Sequence, residues 1–256
     1  MTLPYFSIFR SGGKELVFVA AKHSKNIESP THELIANILK KYKPQLLIVE
    51  GYPTNLGISP SNLIERANNC PKENCPEQRY AVKIGHSLGT SFLGGMPRGH
   101  WLKDVAIKAL GVSEIDILGF YIARTLFRGR KTEKKYNHLL KKYGNKLRIK
   151  GYKNFDYLQF KNWFSSIMSK KWSKKNLNPN DFAPLDKPIH LFHKISRTLS
   201  HNRNIHLAKL IRKHTKKFDK VVVIYGAAHL VSLKPFLEKT ISKSEDSNDW
   251  NVLIRK

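Results

Sequence analysis

Two histidines and one glutamate in this chain each stand just beyond an apolar run. Leu16-Val17-Phe18-Val19 leads into Ala20-Ala21-Lys22-His23, and Val221-Val222-Val223-Ile224-Tyr225 leads into Gly226-Ala227-Ala228-His229. A third run, Leu46-Leu47-Ile48-Val49, ends in Glu50-Gly51. Short continuous runs of this kind mark strands buried on both faces. In open α/β sheets, sites gather outside the carboxyl ends of such strands. His23, Glu50 and His229 can therefore converge although they are far apart in sequence. Two imidazoles and a carboxylate in one place can move protons, and a carboxylate at a strand end calls for a cationic partner or a role in chemistry. A metal ion or Arg203 would serve as that partner.

Other residues carry weaker signals. Arg203 is read at the start of a helix, where a cation works against the helix dipole. That misfit favours a bidentate contact to a carboxylate over a plain surface charge. Glu77 and Tyr80 are spaced to share a helix face, although a cap carboxylate and a core tyrosine explain them nearly as well. His86, His100, His190, His193, His201 and His206 have no comparable setting. Gly85-His86-Ser87-Leu88-Gly89 matches the nucleophile elbow of α/β-hydrolases, but the elbow needs a buried strand before it and a helix after it. Here a charged, helix-like stretch precedes it, and Gly94-Gly95-Met96-Pro97 follows soon after. Cys70 and Cys75 are expected to be a reduced pair; with no second pair of ligands nearby they make a poor zinc site.

The elements that would position these residues follow from pattern. Tyr5 to Phe9 and Glu15 to Val19 flank Ser11-Gly12-Gly13, a β-hairpin with a glycine turn. Ser29 and Pro30 open a helix carrying Leu34, Ile35, Ile38 and Leu39, which returns the chain to a parallel strand over 45–49. A loop over 51–75 leads to a helix over 77–84, then a short strand over 91–93. Helices are expected over 101–110, 115–127 and about 155–170, and a loop or lid over 176–188. A helix opening at Asn202, with Ile205, Ala208 and Ile211 on one face, delivers the chain to the strand at Val221. The tail 242–249 reads as a polar loop and 250–254 as an edge strand. The fold class expected is α/β, a mainly parallel central sheet with an N-terminal hairpin. One domain over 1–256 is expected, with a helical basic insertion at about 101–200.

At 256 residues and 41% hydrophobic, the chain can bury a sizeable core. No window approaches the ~18 consecutive apolar residues of a membrane span. The N-terminus lacks the pattern of a secretory signal, so a cytoplasmic protein, or one exported by a signal-less route, is expected. Lys and Arg number 46 against 19 Asp and Glu, a formal net charge of +27. Such a balance permits phosphate neutralisation on nucleic acid or on an anionic membrane surface. The basic residues thicken between Arg124 and Lys175, where aromatics are interleaved. Stacking on bases is one reading of that pattern. Amphipathic helices with inward-facing aromatic stripes are the plainer one.

The ordered set of motifs resembles the superfamily that contains TraB, PrgY, GumN, the Tiki proteins and the haem-associated ChaN proteins. The resemblance rests on Phe18 to His23, Leu47 to Gly51, Glu77 to Ala81, Arg203-Asn204 ahead of Leu207-Ala208, and Tyr225 to Leu230. It spans about Tyr5 to Leu230, with no matching motif in the middle third. Ala20 replaces a glycine, and Met96 stands where related chains often carry Glu, which removes a carboxylate from that loop. The resemblance implies a ChaN/Tiki-like fold and a metal-dependent hydrolase cleaving a peptide or another amide- or ester-like bond. His23, Glu50 and His229 would then be the ligand or base set for a divalent Mn, Co or Zn ion, with Arg203 nearby. It equally implies a non-catalytic protein that binds haem or a peptide. A nucleic-acid or membrane-surface module acting through the basic middle section is a third reading.

Overall fold

The computed structural model describes residues 2–128, 135–242 and 244–247. The chain divides into two compact units, an α/β unit from Met1–Pro97 and Asn204–Lys256, and a helical unit, Arg98–Arg203.

The α/β unit is built on a six-stranded sheet of order β4-β3-β5-β2-β1-β6. Its strands are β1 (Tyr5–Ser11), β2 (Lys14–Ala21), β3 (Leu46–Pro53), β4 (Ser91–Met96), β5 (Lys220–Gly226) and β6 (Ser244–Ser247). The run β4-β3-β5-β2 is parallel, while β1 pairs antiparallel with both β2 and β6. The β1–β2 hairpin turns on Gly12 and Gly13, both at positive φ, as a tight hairpin requires.

Alternation along the strands splits the core into two layers. Val17, Val19, Leu47, Val49, Val222 and Ile224 face α1 (Pro30–Tyr42) and α3 (Glu77–Ser87). Leu16, Phe18, Ala20, Leu46, Ile48, Val221, Val223 and Tyr225 face Leu207, Ala208, Leu210 and Ile211, and Leu230, Leu233 and Leu237 of α9 (Ala227–Thr240). Helices cover both faces, so the strands read as unbroken apolar runs rather than alternating ones. Register then aligns the strand ends. Ala21 lies opposite Gly226, and Val49 opposite Ile224.

The helical unit contains α4 (Gly99–Leu110), α5 (Glu114–Arg128), α6 (Tyr136–Leu147) and α7 (Tyr157–Met168). Tyr136, Phe155, Phe160 and Phe164 of the basic, aromatic stretch are buried in its core. In the 176–188 stretch, short 3₁₀ turns end at Asn176 and cover Pro179–Phe182.

The structure differs from the sequence expectation in several places. The helix expected to open at Asn202 begins at Leu191 and runs to Thr215 as α8. Arg203 is therefore mid-helix, and the dipole argument for it falls away. The strand expected over 91–93 continues to Met96. Ser244–Ser247, expected as loop, pairs with β1; an edge strand is held by backbone bonds and carries polar residues without cost. The strand expected over 250–254 lies outside the described residues. Ser29 occupies the N-cap position of α1, but its hydroxyl pairs with His32 Nδ1 (2.8 Å) instead of a backbone amide. Cys70 and Cys75, expected to be reduced, form a disulfide with their Cα atoms 5.2 Å apart. A 3₁₀ turn at Lys72–Asn74 folds the intervening loop back and brings the two sulfurs together.

Candidate functional site

The aligned ends of β2, β3 and β5 bring His23, Glu50 and His229 together. Glu50 presents its two carboxylate oxygens to different imidazoles: Oε2 lies 4.0 Å from His23 Nε2 and Oε1 lies 3.8 Å from His229 Nε2. Oε2 also accepts the N–H of Gly226 (2.9 Å), at the last residue of β5. Glu50 and His229 are largely enclosed, while the His23 side chain is 65% exposed. The site thus opens to solvent on the His23 side.

The far nitrogens of both rings are anchored. His23 Nδ1 is hydrogen-bonded to Glu77 Oε1, and Glu77 is buried in the first turn of α3. His229 Nδ1 is bonded to Asn204 Oδ1 at 2.5 Å. A carboxylate and an amide oxygen are both acceptors, so each Nδ1 must be the donor. In the neutral ring this leaves Nε2 as the acceptor, and both Nε2 atoms are turned towards Glu50. The same outer-shell arrangement orients histidines that ligate metals. Among the described residues, Glu77 puts a carboxylate behind His23 and Asn204 puts a neutral amide behind His229.

Close packing shapes the floor. A Cβ at Gly226 would come within 3.0 Å of His23 Nε2 and 3.5 Å of Glu50 Oε2, so glycine gives the two side chains room at the strand end. The ring of Tyr225 meets His229 edge-on at 5.2 Å. Gly95 of β4 lies so close to that ring that a Cβ would overlap the Tyr225 hydroxyl at 2.2 Å. Met96, which stands in place of a carboxylate, packs against the core layer that contains Tyr225. Its carbonyl accepts from Thr54 Oγ1 (3.1 Å), which in turn accepts from His206 Nε2 (2.7 Å). Burial, reinforced by Lys209, lowers the His206 pKa below the usual histidine value.

Among the other candidates, Glu77 joins the site through His23. Tyr80 packs its ring edge-on against His32 at 4.8 Å. Burial raises its pKa. Arg203 belongs to the helical unit, one residue before Asn204. Ser87 ends a helix and donates to Ile84 O (2.8 Å), with Gly89 at positive φ just beyond it; no strand leads into it. Among the described residues, no group of three or more His, Cys, Asp and Glu side chains is disposed as it stands to hold a metal ion. No described helix is long and apolar enough to cross a membrane.

Three contributors to the site, Asn204, Tyr225 and the amide of Gly226, stand in the motifs quoted from the sequence but were not named there as site residues. A signal for Asn204 existed. It lies at i of the stripe whose i+3, i+4 and i+7 positions are Leu207, Ala208 and Ile211, all buried, so a polar side chain there points inward. The chain matches no family model, no curated protein and no solved structure.

Proposed function

We propose that the chain is a hydrolase of the TraB/Tiki/ChaN-like kind, acting on a peptide or another amide- or ester-like bond. The observation that carries this reading is Glu50 held between two imidazoles whose outer nitrogens are fixed by Glu77 and Asn204. Glu50 takes a proton from an attacking water, a protonated His23 Nε2 gives its proton to the leaving group, and Glu50 then passes the captured proton to His23, which restores both groups. His23 suits the donor role, because Glu77 behind it offsets the full charge of a protonated ring, and its exposure admits substrate. His229, backed by a neutral amide, faces the other carboxylate oxygen.

Metal dependence is the second reading, and the two Nε2 atoms turned to one carboxylate favour it. His23, Glu50 and His229 would hold a divalent Mn, Co or Zn ion after a small closure. A bound ion would lower the pKa of its water and polarise the carbonyl. Elemental analysis of the purified chain beside His229→Ala tests the two readings together with a panel of peptide and ester substrates. Stoichiometric metal that vanishes in the variant selects the metal-dependent form. Turnover without metal, lost in Glu50→Gln, selects proton transfer alone. No turnover in either state would overturn the hydrolase reading and leave a haem- or peptide-binding role.

A further inference from the structure

The helical unit contains a second concentration of unusual chemistry, independent of the hydrolase reading. Tyr121, Arg124, Thr125 and Arg128 lie at i, i+3, i+4 and i+7 of α5, on one face. That face is locked to α6. The Tyr121 ring stacks on Tyr143 (5.3 Å between centroids, 28° between planes), and the Tyr143 hydroxyl is bonded to Thr125 Oγ1 at 2.8 Å. Lys146 follows Tyr143 at i+3 on the same side of α6, and Arg203 is near enough to act on Tyr121, Arg124 and Lys146 alike. Arg124 Nε is shielded from solvent and has no hydrogen-bond acceptor among the described residues.

A guanidinium N–H buried without an acceptor is costly, and adding cations beside it raises the cost. The electrostatics register this. Burial first, then Arg128 and Arg203, lower the Arg124 pKa. Lys146 keeps exposed surface, yet desolvation, then Lys142 and Arg203, lower its pKa as well. Five described carboxylates of the unit have partners of their own. Asp104 and Glu114 pair with Lys103, Asp116 holds Ser113 and Trp163, Asp156 caps α7, and Asp181 pairs with Lys170. A ligand that offsets such a cost must carry negative charge, and a guanidinium with further cations around it suits an oxyanion.

We propose that Arg124, with Lys146 and Arg203 around the Tyr121–Tyr143 stack, forms a binding site for an oxyanion group, a phosphate or a carboxylate, of a small ligand. The test is calorimetric titration of the full chain with inorganic phosphate and, separately, with acetate, at ionic strength held constant with chloride. Saturable one-to-one binding of either anion is expected, weakened about tenfold or more in Arg124→Met and in Lys146→Met, the loss of one charge-assisted contact. Saturation by phosphate alone assigns a phosphorylated ligand, and by acetate alone a carboxylate. A fold control comes from melting. Without anion, Arg124→Met should melt no lower than wild type, since it removes a buried like charge; with anion, only wild type should gain. The proposal is overturned by absence of saturable binding of both anions to millimolar concentration, by variants that bind as well as wild type, or by an Arg124→Met chain that melts lower without anion.

Discussion

His23 and His229 approach Glu50 from opposite oxygens, Nε2 to Oε2 at 4.0 Å and Nε2 to Oε1 at 3.8 Å, so one carboxylate faces both rings. Neither imidazole can be described without the other. Each is also tied at its back, one to Glu77 and one to Asn204.

Asn204→Leu should release the His229 ring while keeping the packing of α8. The loss of one buried hydrogen bond costs about 1 kcal/mol of stability. The sharper readout is the tautomer: nitrogen NMR should show His229 protonated at Nδ1 in the wild type and a mixture in the variant. An unchanged Nδ1–H tautomer in the variant would mean that Asn204 does not set the ring.

Gly226→Ala places a Cβ 3.0 Å from His23 Nε2, so the exposed ring must give by a few tenths of an ångström. The displaced ring is expected to cost about 1 kcal/mol. Urea denaturation should show that loss, and turnover should fall with it. A variant as stable and active as wild type would show that the floor has slack.

Acid should weaken the fold. Burial lowers the pKa of His206 and of His214, so the folded chain resists protons that the unfolded chain takes up near the ordinary histidine value of 6.5. Stability from these groups is fully present above the unfolded value and is lost as pH falls through the lower folded values. Melting temperature should therefore drop as pH falls below about 6.5, and His206→Gln should flatten part of that slope. A slope identical in the variant would remove His206 from the account.

Reduction of the disulfide should be felt at the site. Cys75 donates its N–H to Lys25 O (2.8 Å), accepts from His32 Nε2 (2.9 Å), and stands two residues before Glu77. Opening the small loop removes on the order of 2 kcal/mol of chain-entropy stabilisation. Thermal melts with and without a dithiol reductant measure that loss, and Cys70→Ser with Cys75→Ser should reproduce it. Reduced protein that melts as high as oxidised protein would show that the loop is held by its backbone bonds alone.

The parallel strands, the hairpin and the meeting of His23, Glu50 and His229 were legible because burial on both faces leaves a plain apolar signature and the site sits where those signatures stop. Glu77 was legible as a candidate but its partner was not, since the His23–Glu77 pairing depends on where a loop and a helix come to rest. Asn204 was hidden by a misplaced helix start: with α8 opening at Leu191, the residue falls inside a buried stripe instead of at a cap. β6 carries no apolar pattern at all, so nothing in its composition distinguishes it from a loop; the unsatisfied edge of β1 creates it. The disulfide was misjudged on compartment grounds, whereas the turn between the cysteines decides it locally.

The order of strands has a consequence for how the protein comes into being. β5 lies between β2 and β3, yet it is encoded after the whole helical unit. On the ribosome, β2 and β3 emerge early and have no common neighbour to join them until residues beyond 220 appear. A nascent chain therefore carries two raw sheet edges through most of its synthesis, the kind of edge that invites mispairing. β5, arriving late, closes the gap and delivers His229 in the same motion. Birth of the sheet and birth of the site are one event, and a chain halted before that point has neither.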